Sequence, residues 1–430
     1  MRVTFVRKLI VGACLLAAAT VALAACGSSK SSSSSSGAAS SGGNTITIYS
    51  SLPLQGATSA QTLPTVNGMK LALSQAGGKA GQFNVNYVSL DDSTAAKGNY
   101  DLGQCAANAR KAATDPKTIA YLGEFNSGCT EVSLPILNQA GVPMISPANT
   151  YVGLTTNKPS AMVLSGEPQK YYPTGTRTYL RIVPRDSIQG AADLMAMKQA
   201  GCTKVAEAND KTPYGAGIAT VVQTLKGSYG LNVVSNTGID PTAPNFRSYA
   251  ATIKGQGADC FFFGGVTANG GVQIAKDVHA AIPTAKLFGP DGVCTDAWTS
   301  AKSGGVPASL DPLMQCTVAT LNIPALPGGP AFLSAYKAKY GVANPDPYAI
   351  YGYEDMKVVL DTIASLGSQG NSKSAVLHAL FAIKARHSVL GTYGFDANGD
   401  TTLKAYGLYK ASGPNGSVTF FKALTPPVTS

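Results

Sequence analysis

The sequence predicts an α/β protein built as two similar lobes, each a parallel sheet with helices on both faces. Three observations carry this reading. Strand and helix patterns alternate from Thr45 to Gly289, and that order implies parallel strands joined by helical crossovers. The stretch from about Thr45 to Ser430 is too long for one small domain. After Pro324 the pattern turns helical and then returns to short strands, which implies several crossings between the lobes.

The N-terminus reads as a targeting segment. Arg2, Arg7 and Lys8 precede an apolar run, Leu9 to Ala25, slightly short for a membrane-spanning helix. Leu23-Ala24-Ala25-Cys26 then resembles a bacterial lipobox. An ordinary secretory signal with a chance cysteine is the alternative. The position of Cys26 at the cut and the Ser tract behind it favour the lipoprotein. Residues 1–25 are thus a signal peptide, and 26–44 a lipidated Cys26 with a Ser/Gly-rich tether. Such a tether has a reach of roughly 25 Å. Nothing later in the chain approaches spanning length.

Beyond the tether, Thr45–Ser50 alternates as a strand, and Val66, Met69, Leu73 and Ala76 share a helical face. Asn84–Leu90 reads as a strand and Leu102–Ala113 as a helix. Leu154–Thr178 holds three prolines and no clear period, and reads as a surface excursion before the crossover. From Tyr179 the alternation resumes, with strands at 179–183, 204–208, 231–235, 260–263 and 286–289 and helices between them. Helical patterns follow around Phe332, Met356 and Ala375, then short strands from Gly391.

The full chain carries a net charge of +10. Removing the three basic residues of the signal leaves 10 − 3 = +7. The basic residues are scattered, which argues against nucleic acid as a partner. Of eight cysteines, Cys14 leaves with the signal and Cys26 carries lipid. The remaining six suit disulfides in an exported protein. Chain order suggests Cys105–Cys129, Cys202–Cys260 and Cys294–Cys316. No CxxC or Cys/His spacing suggests a metal.

The most informative stretch is Tyr121–Thr150, which reads strand, loop, helix, strand, loop. Its two hydroxyl-rich loops, around Ser127 and Thr150, would lie side by side at the carboxyl edge of a parallel sheet. Ligands of open α/β sheets bind there. Free N–H groups at the helix start beside Ser127 suit a carboxylate, although Ser127 or Thr130 alone could be a plain N-cap. Pro135 fits only in the first helical turn.

No HExxH, GxSxG or phosphate-loop motif occurs. The three histidines stand alone, so no nucleophile is matched to a base and no cofactor or metal is implied. Tyr214-Gly215-Ala216-Gly217 reads as a Gly-rich helix start. Asp396, Asn398 and Asp400 imitate half a calcium loop but read better as a turn. Asp291 in Phe288-Gly289-Pro290-Asp291-Gly292 offers a carboxylate at a strand end. A ligand carboxylate at Ser127 and an ammonium at Asp291 would make one α-amino acid, gripped by both lobes.

FNSGC, PMISPANT, PYGAG, FFFGG and FGPDG, in that order, resemble the leucine/isoleucine/valine-binding proteins, type I solute-binding proteins of ABC importers. The resemblance covers essentially all of the chain after the tether. It implies two Rossmann-like lobes joined by a three-crossover hinge, 45–183 plus 319–399 and 184–318 plus 400–430. It further implies a non-catalytic, monomeric receptor outside the cytoplasm, lipid-anchored to a bacterial membrane. That receptor would hand an amino acid to separate permease and ATPase subunits. By motif, Ser127 bonds the ligand carboxylate, while Thr150 and the Ala148 backbone hold carboxylate and ammonium. Asp291 takes the ammonium, and Tyr214 and Tyr348 line the pocket. Ser59 and Ala60 fall near a further wall. Three departures stand out: Val266 replaces an aromatic, Asp291 is shorter than the usual Glu, and the 154–178 excursion is long. The first two change the pocket, so the solute could be another amino acid, an amide-like compound or an aromatic acid. A sensor subunit of the same fold and, further off, an envelope hydrolase are the alternative functions.

Overall fold

The computed structural model describes residues 44–413 and 415–427. The signal peptide, Cys26 and all of the tether but Asn44 lie outside those residues. In chain order the first half runs β1 (Thr45–Leu52), α1 (Ser59–Gln75), β2 (Lys79–Ala80) and β3 (Phe83–Asp91). A small hairpin, β4 (Ser93–Thr94) and β5 (Asn99–Tyr100), leads to α2 (Leu102–Thr114). Then come β6 (Thr118–Gly123), α3 (Ser127–Gln139), β7 (Met144–Ser146) and β8 (Tyr179–Arg181). These strands form one sheet in the order β2-β3-β1-β6-β7-β8.

The chain then enters a second sheet through α4 (Asp186–Gln199), β9 (Lys204–Asn209), α5 (Pro213–Leu225) and β10 (Asn232–Gly238). It continues through α6 (Arg247–Gly255), β11 (Cys260–Gly264), α7 (Gly271–Ala281) and β12 (Lys286–Gly289). The short helix α8 (Asp296–Thr299) precedes β13 (Met314–Val318). The helices α9 (Gly329–Tyr340), α10 (Tyr348–Ser365) and α11 (Lys373–Phe381) return to the first sheet. After a hairpin, β14 (Arg386–Ser388) and β15 (Gly391–Tyr393), the strands β16 (Tyr406–Ser412) and β17 (Ser417–Leu424) end in the second. Its order is β10-β9-β11-β12-β13-β16-β17. The chain therefore passes between sheets three times: after β8, after β13, and between β15 and β16.

Central strands are parallel, as the alternation predicts, and β6 is buried at every position. Such strands, covered on both faces, need unbroken apolar runs. The edges differ from the prediction: β2, β16 and β17 pair antiparallel. Short turns join β2 to β3 and β16 to β17, and a tight turn can join only antiparallel strands; β16 meets β13 only after the chain's long return through the first lobe. The α1–α10 pair closes the first lobe almost backbone to backbone. A Cβ on Gly68 would stand 2.0 Å from the Ala349 carbonyl oxygen, and one on Gly352 would stand 2.0 Å from that of Thr65.

Three further expectations meet the structure. The disulfides are Cys105–Cys129, Cys202–Cys260 and Cys294–Cys316, as chain order suggests. Pro135 is not in a first turn, because α3 starts at Ser127 and the proline lies well inside it. Its missing N–H leaves the Glu131 carbonyl without the usual helical donor. Residues 154–178 are not a mere surface excursion either. Leu154, Met162, Tyr171 and Tyr172 are buried. The buried Glu167 carboxylate organises the segment, accepting from Tyr151 OH at 2.7 Å, Tyr171 OH at 2.7 Å and Leu164 N at 2.8 Å. Burial pushes this carboxyl up, but those donors and Lys170 hold it below its usual range.

The crossings are pinned by charge. Arg181, at the end of β8, is fully buried and donates to Asp400 at 2.7 Å and to the carbonyl of Tyr151 at 2.8 Å. Arg185 adds a second bond to Asp400 at 2.9 Å. Asp396 Oδ1 accepts from Asn398 N and Asp400 N, so the pseudo-calcium sequence is the predicted turn. This turn aims Asp400 at the first crossing from just before the third.

Candidate functional site

The site starts where β6 and β7 end side by side in parallel register. Asn126 is the N-cap of α3 but makes no side-chain capping bond, and its Oδ1 is buried without a partner. Its carbonyl accepts the N–H groups of Cys129 and Thr130. Ser127 and Gly128 open the helix, so their N–H groups have no intrahelical acceptor. With the helix dipole they present partial positive charge. Ser127 is the first helical residue, not the cap, and it is buried.

The β7 loop is stitched to this helix start. Asn149 donates to the Phe125 carbonyl at 2.8 Å and accepts from the Thr130 hydroxyl and from Tyr179 OH. Ser146 Oγ donates to the Glu124 carbonyl at 2.7 Å and accepts from Ala148 N at 3.1 Å. Ala148 therefore has its N–H engaged and its carbonyl to offer. The Thr150 hydroxyl is buried with no partner. Thr130 is occupied in structure, which separates it from Ser127 and Thr150.

The second lobe supplies the opposite polarity. Asp291 begins the turn after β12. Its Oδ1 accepts from Tyr214 OH at 2.6 Å and its Oδ2 from Tyr348 OH at 2.5 Å. Its own carbonyl accepts from Gln61 Nε2 at 3.0 Å. Burial pushes the Asp291 carboxyl up, and the tyrosine hydroxyls counter part of that. Tyr214 sits in the first turn of α5, after the Thr212 cap and Pro213, and also accepts from Gly292 N at 3.0 Å. Tyr348 opens α10 and lays its ring edge-on against Phe125, 5.2 Å between centroids. Phe125 precedes Ser127 by two residues, and a Cβ on Gly128 would be 3.4 Å from Pro213. The six sequence-predicted residues, Ser127, Ala148, Thr150, Tyr214, Asp291 and Tyr348, are thus brought together, and all are buried.

Sequence reasoning missed Asp186. It is the first residue of α4, its N–H donates to the Thr150 carbonyl at 2.7 Å, and both carboxylate oxygens are buried without partners. Burial drives its pKa up to about 8; the Thr150 hydroxyl, close by but outside hydrogen-bond geometry, lowers it, the Asp291 charge adds and Arg181 subtracts. Gln189, one turn on, has an unpartnered Oε1. An aspartate at a helix start is ordinary in sequence, and only the crossing geometry turns it toward the site.

The arrangement sets donors on one lobe against carboxylates on the other, which fits a small dipolar molecule. The histidines lie in α7, α11 and β14, away from these loops. Two cysteine–carboxylate groups have ligand-like spacing, around Cys105 and Cys202, but their sulfurs are tied in disulfides and offer no thiolate.

A family model described as "Periplasmic binding protein" matches residues 45–417. A Leu/Ile/Val-binding protein of Rhizobium johnstonii is 27% identical over 85% of this chain and 91% of its own. In fold, the chain is similar to a leucine-binding protein of Thermotoga maritima, with a TM-score of 0.72 and 21% identity. That match covers 89% of this chain and 99% of the other. A solute-binding protein of an ABC transporter from R. palustris, in complex with 4-hydroxybenzoate, has a TM-score of 0.73 at 17% identity. It covers 89% of this chain and 98% of its own.

Proposed function

The chain belongs to the periplasmic binding protein family, and on that premise we propose that it is the receptor of an ABC importer for an α-amino acid. The observation that carries this is the opposition of the uncapped α3 start to Asp291 and Asp186. In this reading the ligand carboxylate meets Ser127 and the free N–H groups of α3. The ammonium meets Asp291, Asp186 and the Ala148 carbonyl, and Tyr214 and Tyr348 wall the side chain. The lobes are 45–183 plus 319–399 and 184–318 plus 400–430. Cys26 carries lipid at the outer face of the cell membrane, the receptor acts as a monomer, and the permease and ATPase are other chains. No step of catalysis is assigned to it.

A relative's aromatic acid is the second reading, favoured by the rings of Phe125, Tyr214 and Tyr348. Such a ligand has no ammonium to pair with Asp291 and would add its own negative charge beside that buried carboxylate, a costly arrangement. The amino acid is therefore preferred. Thermal unfolding with a panel of L-amino acids and benzoates tests it, because a ligand that binds only the folded state raises Tm. A shift with benzoates alone would replace the amino acid by an aromatic acid. No shift with either would end the receptor reading. Co-purification with a membrane protein distinguishes an importer from a sensor.

A further inference from the structure

The disulfides divide by position. Cys202 lies just before β9 and Cys260 opens β11, so this pair sits at the amino ends of two paired parallel strands. The loops of the site leave the carboxyl ends of β6, β7 and β12. The other two disulfides lie there, one behind each half of the site. All six cysteines are buried.

Cys129 belongs to the first turn of α3, and its N–H closes that turn on the Asn126 carbonyl at 3.0 Å. The same turn presents the free N–H groups of Ser127 and Gly128. By itself it is weakly held. Its cap makes no side-chain bond, a glycine stands second, and Pro135 interrupts the bonding behind it. The disulfide ties it to Cys105 in α2. That helix is fixed in turn, because Asn108 donates to the Asp91 carbonyl at 2.9 Å and to Ser51 Oγ at 3.1 Å. Cys294 holds the other half. Its N–H donates to the Asp291 carbonyl at 3.1 Å, closing the single turn Asp291–Val293. Its partner Cys316 lies within β13, between β12 and β16. Each of these disulfides joins a short, locally weak turn to a firmly held element.

We infer that Cys105–Cys129 and Cys294–Cys316 are positioning residues, the first for the ligand carboxylate and the second for its ammonium, whereas Cys202–Cys260 serves stability alone. The inference rests on the amino-acid reading above and adds how each end of the site is held. A cross-link removes misplaced arrangements of a loop from the empty receptor, and a loop already in place needs less ordering on binding. A loop correctly placed about a tenth of the time binds about tenfold more weakly.

Paired alanine variants of the full mature chain test it: Cys105→Ala with Cys129→Ala, Cys294→Ala with Cys316→Ala, and Cys202→Ala with Cys260→Ala. The probes are L-leucine, L-leucinamide, which lacks the carboxylate, and 4-methylpentanoate, which lacks the amine. If another L-amino acid raises Tm more, the same set is built on it. In titration calorimetry the first variant should lose about tenfold for both carboxylates and nothing for the amide. The second should lose about tenfold for both amines and nothing for 4-methylpentanoate. The third should keep every affinity and lose only Tm. Equal losses across the probes, or an equal loss in the third variant, overturns the inference. The wild-type chain supplies a measurement that needs no variant to fold. By reciprocity, saturating amino acid should make Cys105–Cys129 and Cys294–Cys316 about tenfold harder to reduce at equilibrium with dithiothreitol, and leave Cys202–Cys260 unchanged. Alkylation and mass spectrometry read each pair, and equal protection of all three also overturns the inference. In those cases the wild type still binds, so the amino-acid reading stands. Failure of every amino acid to bind the wild type removes that reading and the inference with it.

Discussion

The Tyr348 hydroxyl of the first lobe lies 2.5 Å from Asp291 Oδ2 of the second. The same carboxylate accepts Tyr214 OH on its other oxygen. Asp291 is therefore both the proposed ammonium partner and the bolt that holds the two lobes together. A hydrogen bond to a charged group contributes about 1.5–3 kcal/mol. Tyr348→Phe should keep the ring contact with Phe125 and lose the bolt. The empty variant should be more open, with a larger radius of gyration in solution scattering, and bind its ligand more weakly by about 1.5–3 kcal/mol. An unchanged radius and affinity would show that closure does not depend on this bond.

Asp291→Ala removes one half of a buried charge pair if an ammonium binds there. The loss should be about 2–5 kcal/mol for an amino acid. For the matching acid without the amine the loss should be small. Titration calorimetry with leucine and 4-methylpentanoate separates the two. Equal losses would mean that Asp291 holds the lobes and does not read the ligand.

How much of this was legible follows from what each residue does locally. Ser127 opens a helix just past a strand, and Thr150 and Asp291 sit in loops at strand ends; helix-start and turn chemistry are both visible in sequence. Asp186 was not legible, because an aspartate at a helix start satisfies the helix dipole whatever else it does. Asp400 read as a turn residue, and it is one. Its pairing with Arg181, 219 positions away, depends on how the crossings meet. The 154–178 segment lacks a period because its order comes from Glu167 and three tyrosines rather than from a repeating face. The alternation of patterns predicted parallel sheets, but edge pairing depends on the connections, so β16 and β17 escaped it.

Asp186 predicts proton release on binding. In the empty site burial raises it to about 8, so at pH 7 most of the population is protonated. An ammonium alongside favours the ionised form and lowers that pKa. Affinity should then rise with pH and level off above about 8. Calorimetry in buffers of different ionisation enthalpy should show protons released at pH 7, and Asp186→Asn should abolish the release. The same shift has a sign for folding. A carboxyl raised in the native state contributes stability that is complete below its unfolded pKa and is lost as pH rises through about 8.

Asp400 has the opposite sign. Burial alone would raise it, but Arg181 and Arg185 outweigh burial and hold it below the usual carboxylate range. Its contribution is present above the unfolded pKa and is lost as pH falls through the folded one. Asp400→Asn leaves Arg181 buried and without its counter-charge, which costs about 3–5 kcal/mol. Urea unfolding at pH 7 should show that loss, and the difference from wild type should shrink in acid. A constant difference across pH would mean that the pair acts through packing alone.

The last prediction concerns the strap. Tyr151 precedes the 154–178 segment in the first lobe, and its ring faces Gly217 on α5 of the second. A Cβ at Gly217 would lie 2.5 Å from the Tyr151 ring, closer than packed atoms tolerate. The contact joins the two lobes, so the strain of a larger residue falls on the arrangement in which they meet. Overpacking of this kind costs about 1–3 kcal/mol. Gly217→Ala should therefore weaken binding by roughly that amount through faster dissociation, since most affinity changes among variants appear in release. Glycine to alanine within a helix favours the helix by about 1 kcal/mol, so α5 itself should be no less stable. Stopped-flow release and thermal unfolding of the empty protein, measured together, check both halves. Slower or unchanged release would show that the strap does not clasp the second lobe.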